Sequence, residues 1–91
     1  MKVTLQFRGP LAKKFQGVIE IELQNGATLS DLLSWVIERE ESVREVWDIP
    51  EVIDRDALVL CNEADIGLSG GLDTKLNAGD VVVILPLIHG G

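Results

Sequence analysis

One cysteine, one histidine and no tyrosine occur among the 91 residues, and these scarcities exclude whole classes of chemistry. Cys61 has no partner for an internal disulfide, which agrees with a reducing compartment. A single histidine and a single cysteine cannot assemble a His/Cys metal set. No apolar run approaches the roughly 18 residues that a membrane helix requires. The start "MKVTLQF" alternates like a strand and lacks the apolar block and cleavage site of a signal peptide, so a cytoplasmic protein is expected. Cations are scarce too: 8 Lys and Arg stand against 15 Asp and Glu, a net charge of −7. Nucleic-acid binding is dominated by cations that neutralise phosphates, so no direct nucleic-acid ligand is expected. A basic protein surface is the better electrostatic partner, with acidity that merely keeps a small protein soluble as the equal alternative. No GxxxxGK[ST] loop is present, so neither ATP nor another cofactor is expected to bind the chain by itself.

What is present is 46% hydrophobic residues with charge interspersed, the composition of one globular domain. A chain of this length buries about 60 to 68% of the surface it exposes when unfolded. Val3, Leu5 and Phe7 alternate with polar residues over 3–8, and Ile19, Ile21 and Leu23 alternate with Glu20 and Glu22 over 18–23. Two such strands joined by a Gly-containing loop predict an antiparallel hairpin. The period then changes. Thr28 is placed as an N-cap with Asp31 three residues on, and Leu29, Leu32, Leu33, Val36 and Ile37 form one helical stripe. Burying those five contributes roughly 1.5 to 3 kcal/mol each before entropy is subtracted. Val43, Val46 and Trp47 extend that helix or begin a short second one, which Pro50 closes. "ALVLCN" at 57–62 predicts a third strand, and 63–80 only short ordered pieces. "VVVIL" at 81–85 has no alternation, the pattern of a central strand with apolar contacts on both faces. The order β-β-α-(α)-β-(short β)-β gives an α+β roll: a mixed sheet of four to five strands on one main helix, the order of the β-grasp or ubiquitin-like fold.

"LVLCNEADIGLSGGLDTKLNAGDVVVILPLIHGG", residues 58–91, resembles the C-terminal part of the ubiquitin-related modifier family, whose members end in a strand, a spacer and His-Gly-Gly. It is also similar to the sulfur carriers MoaD, the small subunit of molybdopterin synthase, and ThiS of thiamin synthesis. Asn62 to Asp65, the Leu76 to Asp80 turn and the tail carry the resemblance, while Pro86 after the last strand is closer to MoaD. The resemblance implies a protein co-substrate, not an enzyme. A separate E1-like adenylyltransferase would spend ATP to activate the carboxylate of Gly91. A persulfide protein would then supply sulfur, leaving a thiocarboxylate for a sulfur-accepting enzyme in tRNA thiolation or molybdopterin synthesis. Attachment of the same terminus to protein lysines is a further implied outcome. The alternatives are the small subunit of molybdopterin synthase alone, or a ubiquitin-like binding module with no tail chemistry.

On this reading residues 86–91 are a flexible tail on a single domain, and glycine at 90 and 91 lets the backbone thread a narrow channel with no side chain shielding the carbonyl. Pro86 stiffens the exit from the last strand, and His89 is a recognition contact for the activating enzyme or a plain solvated residue. Some of Val81, Val82, Val83, Ile84 and Leu85 must face away from the helix and form a partner-docking surface, with the phase left open. Cys61, inside "LVLC" with no basic neighbour, reads as a packed thiol rather than a persulfide carrier. Glu20/Glu22 and Asp54/Asp56 read as solvated charge, Gly70-Gly71 as a turn, and Trp35 and Trp47 as packing rather than partner anchors.

Overall fold

The computed structural model describes residues 1–9, 15, 17–68 and 70–87. Alternation produces the first hairpin: β1 (Lys2–Phe7) pairs antiparallel with β2 (Val18–Glu22), Val3 opposite Ile21 and Leu5 opposite Ile19. Its inward residues Val3, Leu5, Phe7 and Ile21 are buried, while Glu20 and Glu22 stay exposed. α1 (Leu29–Arg39) follows, and it begins where local chemistry dictates. The Thr28 hydroxyl accepts from the Asp31 amide at 3.3 Å and the Asp31 carboxylate accepts from the Thr28 amide at 2.8 Å, satisfying two orphan donors of the first turn. Leu29, Leu32, Leu33, Val36 and Ile37 are the buried stripe, as the spacing predicts.

Beyond α1 the chain departs from the sequence expectation. A short α2 (Glu41–Val46) is followed by α3 (Pro50–Asp56), so Pro50 opens a helix instead of closing one. Proline suits this first position because its φ is preset and its missing N–H would have had no partner there. α3 delivers the chain into β3 (Ala57–Cys61), which turns at Asn62-Glu63 into the two-residue β4 (Ala64–Asp65). Two single 3₁₀ turns, Ile66–Leu68 and Gly71–Asp73, lead to β5 (Val81–Pro86).

The five strands form one mixed sheet in the order β2-β1-β5-β3-β4. β5 lies at its centre, parallel to β1 and antiparallel to β3. The helix-covered face holds the core, closed at one end by aromatics: Phe15 sits 4.8 Å from Phe7 and 5.6 Å from the buried Trp47, ring centre to ring centre. Among the described residues no helix is long and apolar enough to cross a membrane.

Because the capping box is the point at which the strand-to-helix switch is specified, Thr28→Ala is expected to destabilise the fold by about 0.5 to 2 kcal/mol. A urea titration with unchanged slope and a lower midpoint would show this; an unchanged midpoint would contradict it.

Candidate functional site

The register resolves the phase of β5. Val82 and Ile84, opposite Leu5 and Phe7 of β1, point into the core with 0% exposure and cannot belong to a docking surface. Val81, Val83 and Leu85 face the other way. Of the five residues expected at a partner surface, these three therefore share the outer face of the sheet, where β3 adds Leu58 opposite Leu85 and Leu60 opposite Val83. Val83 is itself only 1% exposed, flanked by Gln6 and Leu60, so the accessible apolar area comes from the half-buried Val81, Leu85, Leu58 and Leu60. Leu87, 50% exposed, lies just beyond. Gly9 belongs to this surface too: at φ +84 a side chain would be strained, and a Cβ would stand 3.3 Å from the Leu85 Cδ1.

The strand runs one residue further than alternation-free "VVVIL" suggests. Pro86 is part of β5, buried and opposite Ala57. It has no N–H to donate, but Leu87 restores the ladder by donating its amide to the Asp56 carbonyl at 2.9 Å. The first two residues of the expected tail are thus held by the sheet. The other tail residues singled out in the sequence, His89, Gly90 and Gly91, lie outside the described residues.

At the opposite end of β5 a polar cluster that sequence reasoning misses fixes where the strand begins. Asp80 is 8% exposed. Its carboxylate accepts from the Asn77 amide at 2.7 Å and from Asn62 Nδ2 at 2.9 Å, and its carbonyl accepts from the Thr4 amide at 2.9 Å. Asn62 completes the clamp: its Oδ1 accepts from the Val81 amide and its own amide donates to the Val81 carbonyl, at 2.9 and 2.8 Å. The two turns that carry the family resemblance are therefore in direct contact. Asn62 and Glu63 both adopt positive φ, a conformation asparagine tolerates and glutamate resists. The Glu63 carboxylate pairs with Arg8 of the β1 end at 2.9 Å.

Cys61 packs half-buried against the core, and its thiol donates weakly to Asp80 Oδ2 at 3.8 Å. Burial pushes this thiol up, and the negative charge of Asp80 pushes the same way. A thiol kept protonated near neutral pH is a poor nucleophile, in agreement with a packing role. Trp47 is core. Trp35 is half-buried with the Arg39 guanidinium 4.5 Å over its ring. Gly70 and Gly71 form a turn at positive φ. A depression of about 330 Å³ at the β2–α1 turn, lined by Leu23, Gln24, Asn25, Gly26, Ala27 and Asp31, shares no residue with the outer sheet face.

These contacts predict the behaviour of Cys61. Its neutral form is favoured by folding, so the associated stability is complete below the thiol's unfolded pKa and is lost as pH rises through the higher folded value. Alkylation by iodoacetamide should lag that of a free thiol at the same mildly alkaline pH. Asp80→Asn removes the adjacent charge and is expected to speed alkylation in the folded protein, and an unchanged rate would discount Asp80 as a cause.

A family model described as the ThiS family matches residues 5–91. The ubiquitin-related modifier 1 homolog 2 of Arabidopsis thaliana is 37% identical, with all of both chains covered. The solution structure of the ubiquitin-related modifier of Trypanosoma brucei superposes with a TM-score of 0.69 at 25% identity, covering 99% of this chain and 95% of that one. A chain from the protein–protein complex of subunits 1 and 2 of the molybdopterin-converting factor of Helicobacter pylori superposes with a TM-score of 0.67 at 25% identity, each covered in full. Matched end to end by a ubiquitin-related modifier and over residues 5–91 by the family model, the protein belongs to the ThiS family of ubiquitin-like, β-grasp sulfur carriers.

Proposed function

We propose that this protein carries sulfur on its C-terminal glycine as a thiocarboxylate and delivers it for tRNA thiolation, with the same terminus available for attachment to protein lysines. The modifier branch is favoured over molybdopterin synthesis by the full-length identity of 37% to a ubiquitin-related modifier. The observation that carries the reading is β5: a central strand, bonded on both sides, that leads through Pro86 and Leu87 towards His89, Gly90 and Gly91. A reactive end on a firmly paired strand can be aimed into another protein's active site with little loss of freedom in the base.

The chemistry requires a separate E1-like enzyme that binds the ATP, and this chain supplies only the carboxylate. The Gly91 carboxylate attacks the α-phosphorus of ATP, pyrophosphate leaves, and an acyl-adenylate forms. The outer sulfur of a protein persulfide attacks the carbonyl and expels AMP. A second thiol of the donor system cleaves the resulting acyl disulfide, which leaves the thiocarboxylate on Gly91 and a disulfide on the donor. Gly90 and Gly91 contribute by having no side chain at the point of attack. His89 serves the activating enzyme as a recognition contact. The outer face of Val81, Leu85, Leu58 and Leu60 docks the partners, and the complex of the two molybdopterin-converting subunits supports a partner protein for this kind of chain.

Deleting Gly91 shortens the reach by about 3.3 to 3.6 Å. It should abolish ATP–pyrophosphate exchange and the mass increase of oxygen-to-sulfur replacement while leaving the circular dichroism unchanged. Undiminished exchange would overturn the assignment. Tail and docking face should also separate: Gly90→Val should bind the E1-like enzyme normally but be adenylated slowly, because a β-branched side chain restricts the backbone there. Leu85→Arg should instead weaken binding, since its charge must be desolvated at the interface. Equal loss of calorimetric affinity in both variants would refute that division.

A further inference from the structure

β2 is an edge strand of the sheet, separated from β5 by β1. In the β1–β2 ladder the odd-numbered residues of β2 face β1: Gly17 accepts from the Phe7 amide at 2.7 Å, and Leu23 donates its amide to the Met1 carbonyl at 2.9 Å. By the alternation of an antiparallel pair, Val18, Glu20 and Glu22 direct their backbone N–H and C=O groups outwards, where the described residues place no further strand. Proteins usually blunt such an edge, because a row of unpaired groups is a template for another chain. Here the edge holds no proline, and Val18 is an exposed apolar side chain, 56% accessible, at its start.

The side chains define what can pair there. Glu20 and Glu22 project from the outer sheet face and are 66% and 72% exposed, despite ion pairs with Lys2 at 3.7 Å and with the amino terminus at 3.4 Å. On the helix side of the same strand, Ile19 and Leu23 are only half-buried against the core and present apolar flanks to the edge. The depression lined by Leu23 to Ala27 and Asp31 continues that side beyond the last strand residue. A second copy of this chain is disfavoured: antiparallel β2–β2 pairing centred on Glu20 sets Glu20 against Glu20, and pairing centred on Ile21 sets Glu20 against Glu22 twice, like charges directly opposite on one face. A chain with cations on one face and aliphatics on the other meets no such conflict.

We propose that the β2 edge adds an extended segment of a partner protein in which basic and apolar residues alternate. The basic residues lie beside Glu20 and Glu22, and the apolar ones lie beside Ile19 and Leu23. Main-chain hydrogen bonds to Val18, Glu20 and Glu22 supply affinity, and the alternation supplies register.

The test uses the full chain and an acetylated, amidated heptapeptide alternating Arg and Val. In a heteronuclear NMR titration the amides of Val18, Glu20 and Glu22 should shift together and gain protection from hydrogen exchange. The affinity should fall as salt is added. A block peptide of the same composition, with its arginines contiguous, should bind at least about tenfold more weakly, equivalent to about 1.4 kcal/mol. Glu20→Gln/Glu22→Gln should weaken binding by a similar factor. Val18→Pro should weaken it without changing charge, because it removes one edge donor at a position where an edge strand tolerates proline. Equal binding of the two peptides would reduce the effect to bulk charge and overturn the proposal. So would shifts confined to Val81, Leu85, Leu58 and Leu60, self-association through β2, or no binding.

Discussion

The parallel pairing of β1 with β5 is the constraint on which the rest of this molecule depends. Thr4 lies opposite Val81 and Phe7 opposite Ile84, so the sheet's centre is made from opposite ends of the sequence. A strand in that position has neighbours on both edges and side chains on both faces, which is why "VVVIL" contains no polar residue. It also demands a fixed starting point. One residue of slippage would turn Val82 and Ile84 out of the core and bring Val81 and Val83 in. The Asp80–Asn62 clamp holds the register by tying the first residue of β5 to the end of β3, while the Asp80 carbonyl ties it to β1.

That clamp satisfies the buried Asp80 carboxylate with donors from the exposed Asn62 and Asn77. Among the described residues no buried side-chain nitrogen or oxygen lacks a partner. The helix side has a different kind of specificity. α1 is fixed by its cap and by aliphatic burial, neither of which selects one register of β5. Packing and polar clamp are therefore complementary: the first makes the sheet bury a face, and the second decides which face.

Features governed by near neighbours in the chain are legible in the amino-acid sequence alone. Thr28 and Asp31 act three residues apart, and the stripe from Leu29 to Ile37 is a matter of period, so cap and core face follow directly. Pro50 misleads because proline has the same spelling after one helix and at the first position of the next, and α3 is too short for its periodicity to show. The phase of β5 is illegible for a different reason: a uniformly apolar strand carries no mark of which residues point inward. Asp80 escapes a sequence reading because its partner Asn62 is 18 residues away, across two turns. The tail residues His89, Gly90 and Gly91 are reached through resemblance, since glycine leaves no pattern of its own.

The arrangement of β1 and β5 also sets how the domain bears load. Tension applied through Leu87 against an anchored amino terminus runs along two parallel neighbouring strands in opposite senses. The four register pairs of β1–β5 are then strained together in shear, instead of being peeled apart one at a time as in a hairpin opened from its end. Force entering at the carboxyl end of β5 thus loads the β1–β5 pairs in shear. A domain built in this way can be joined to another protein and dragged by it without losing its shape first.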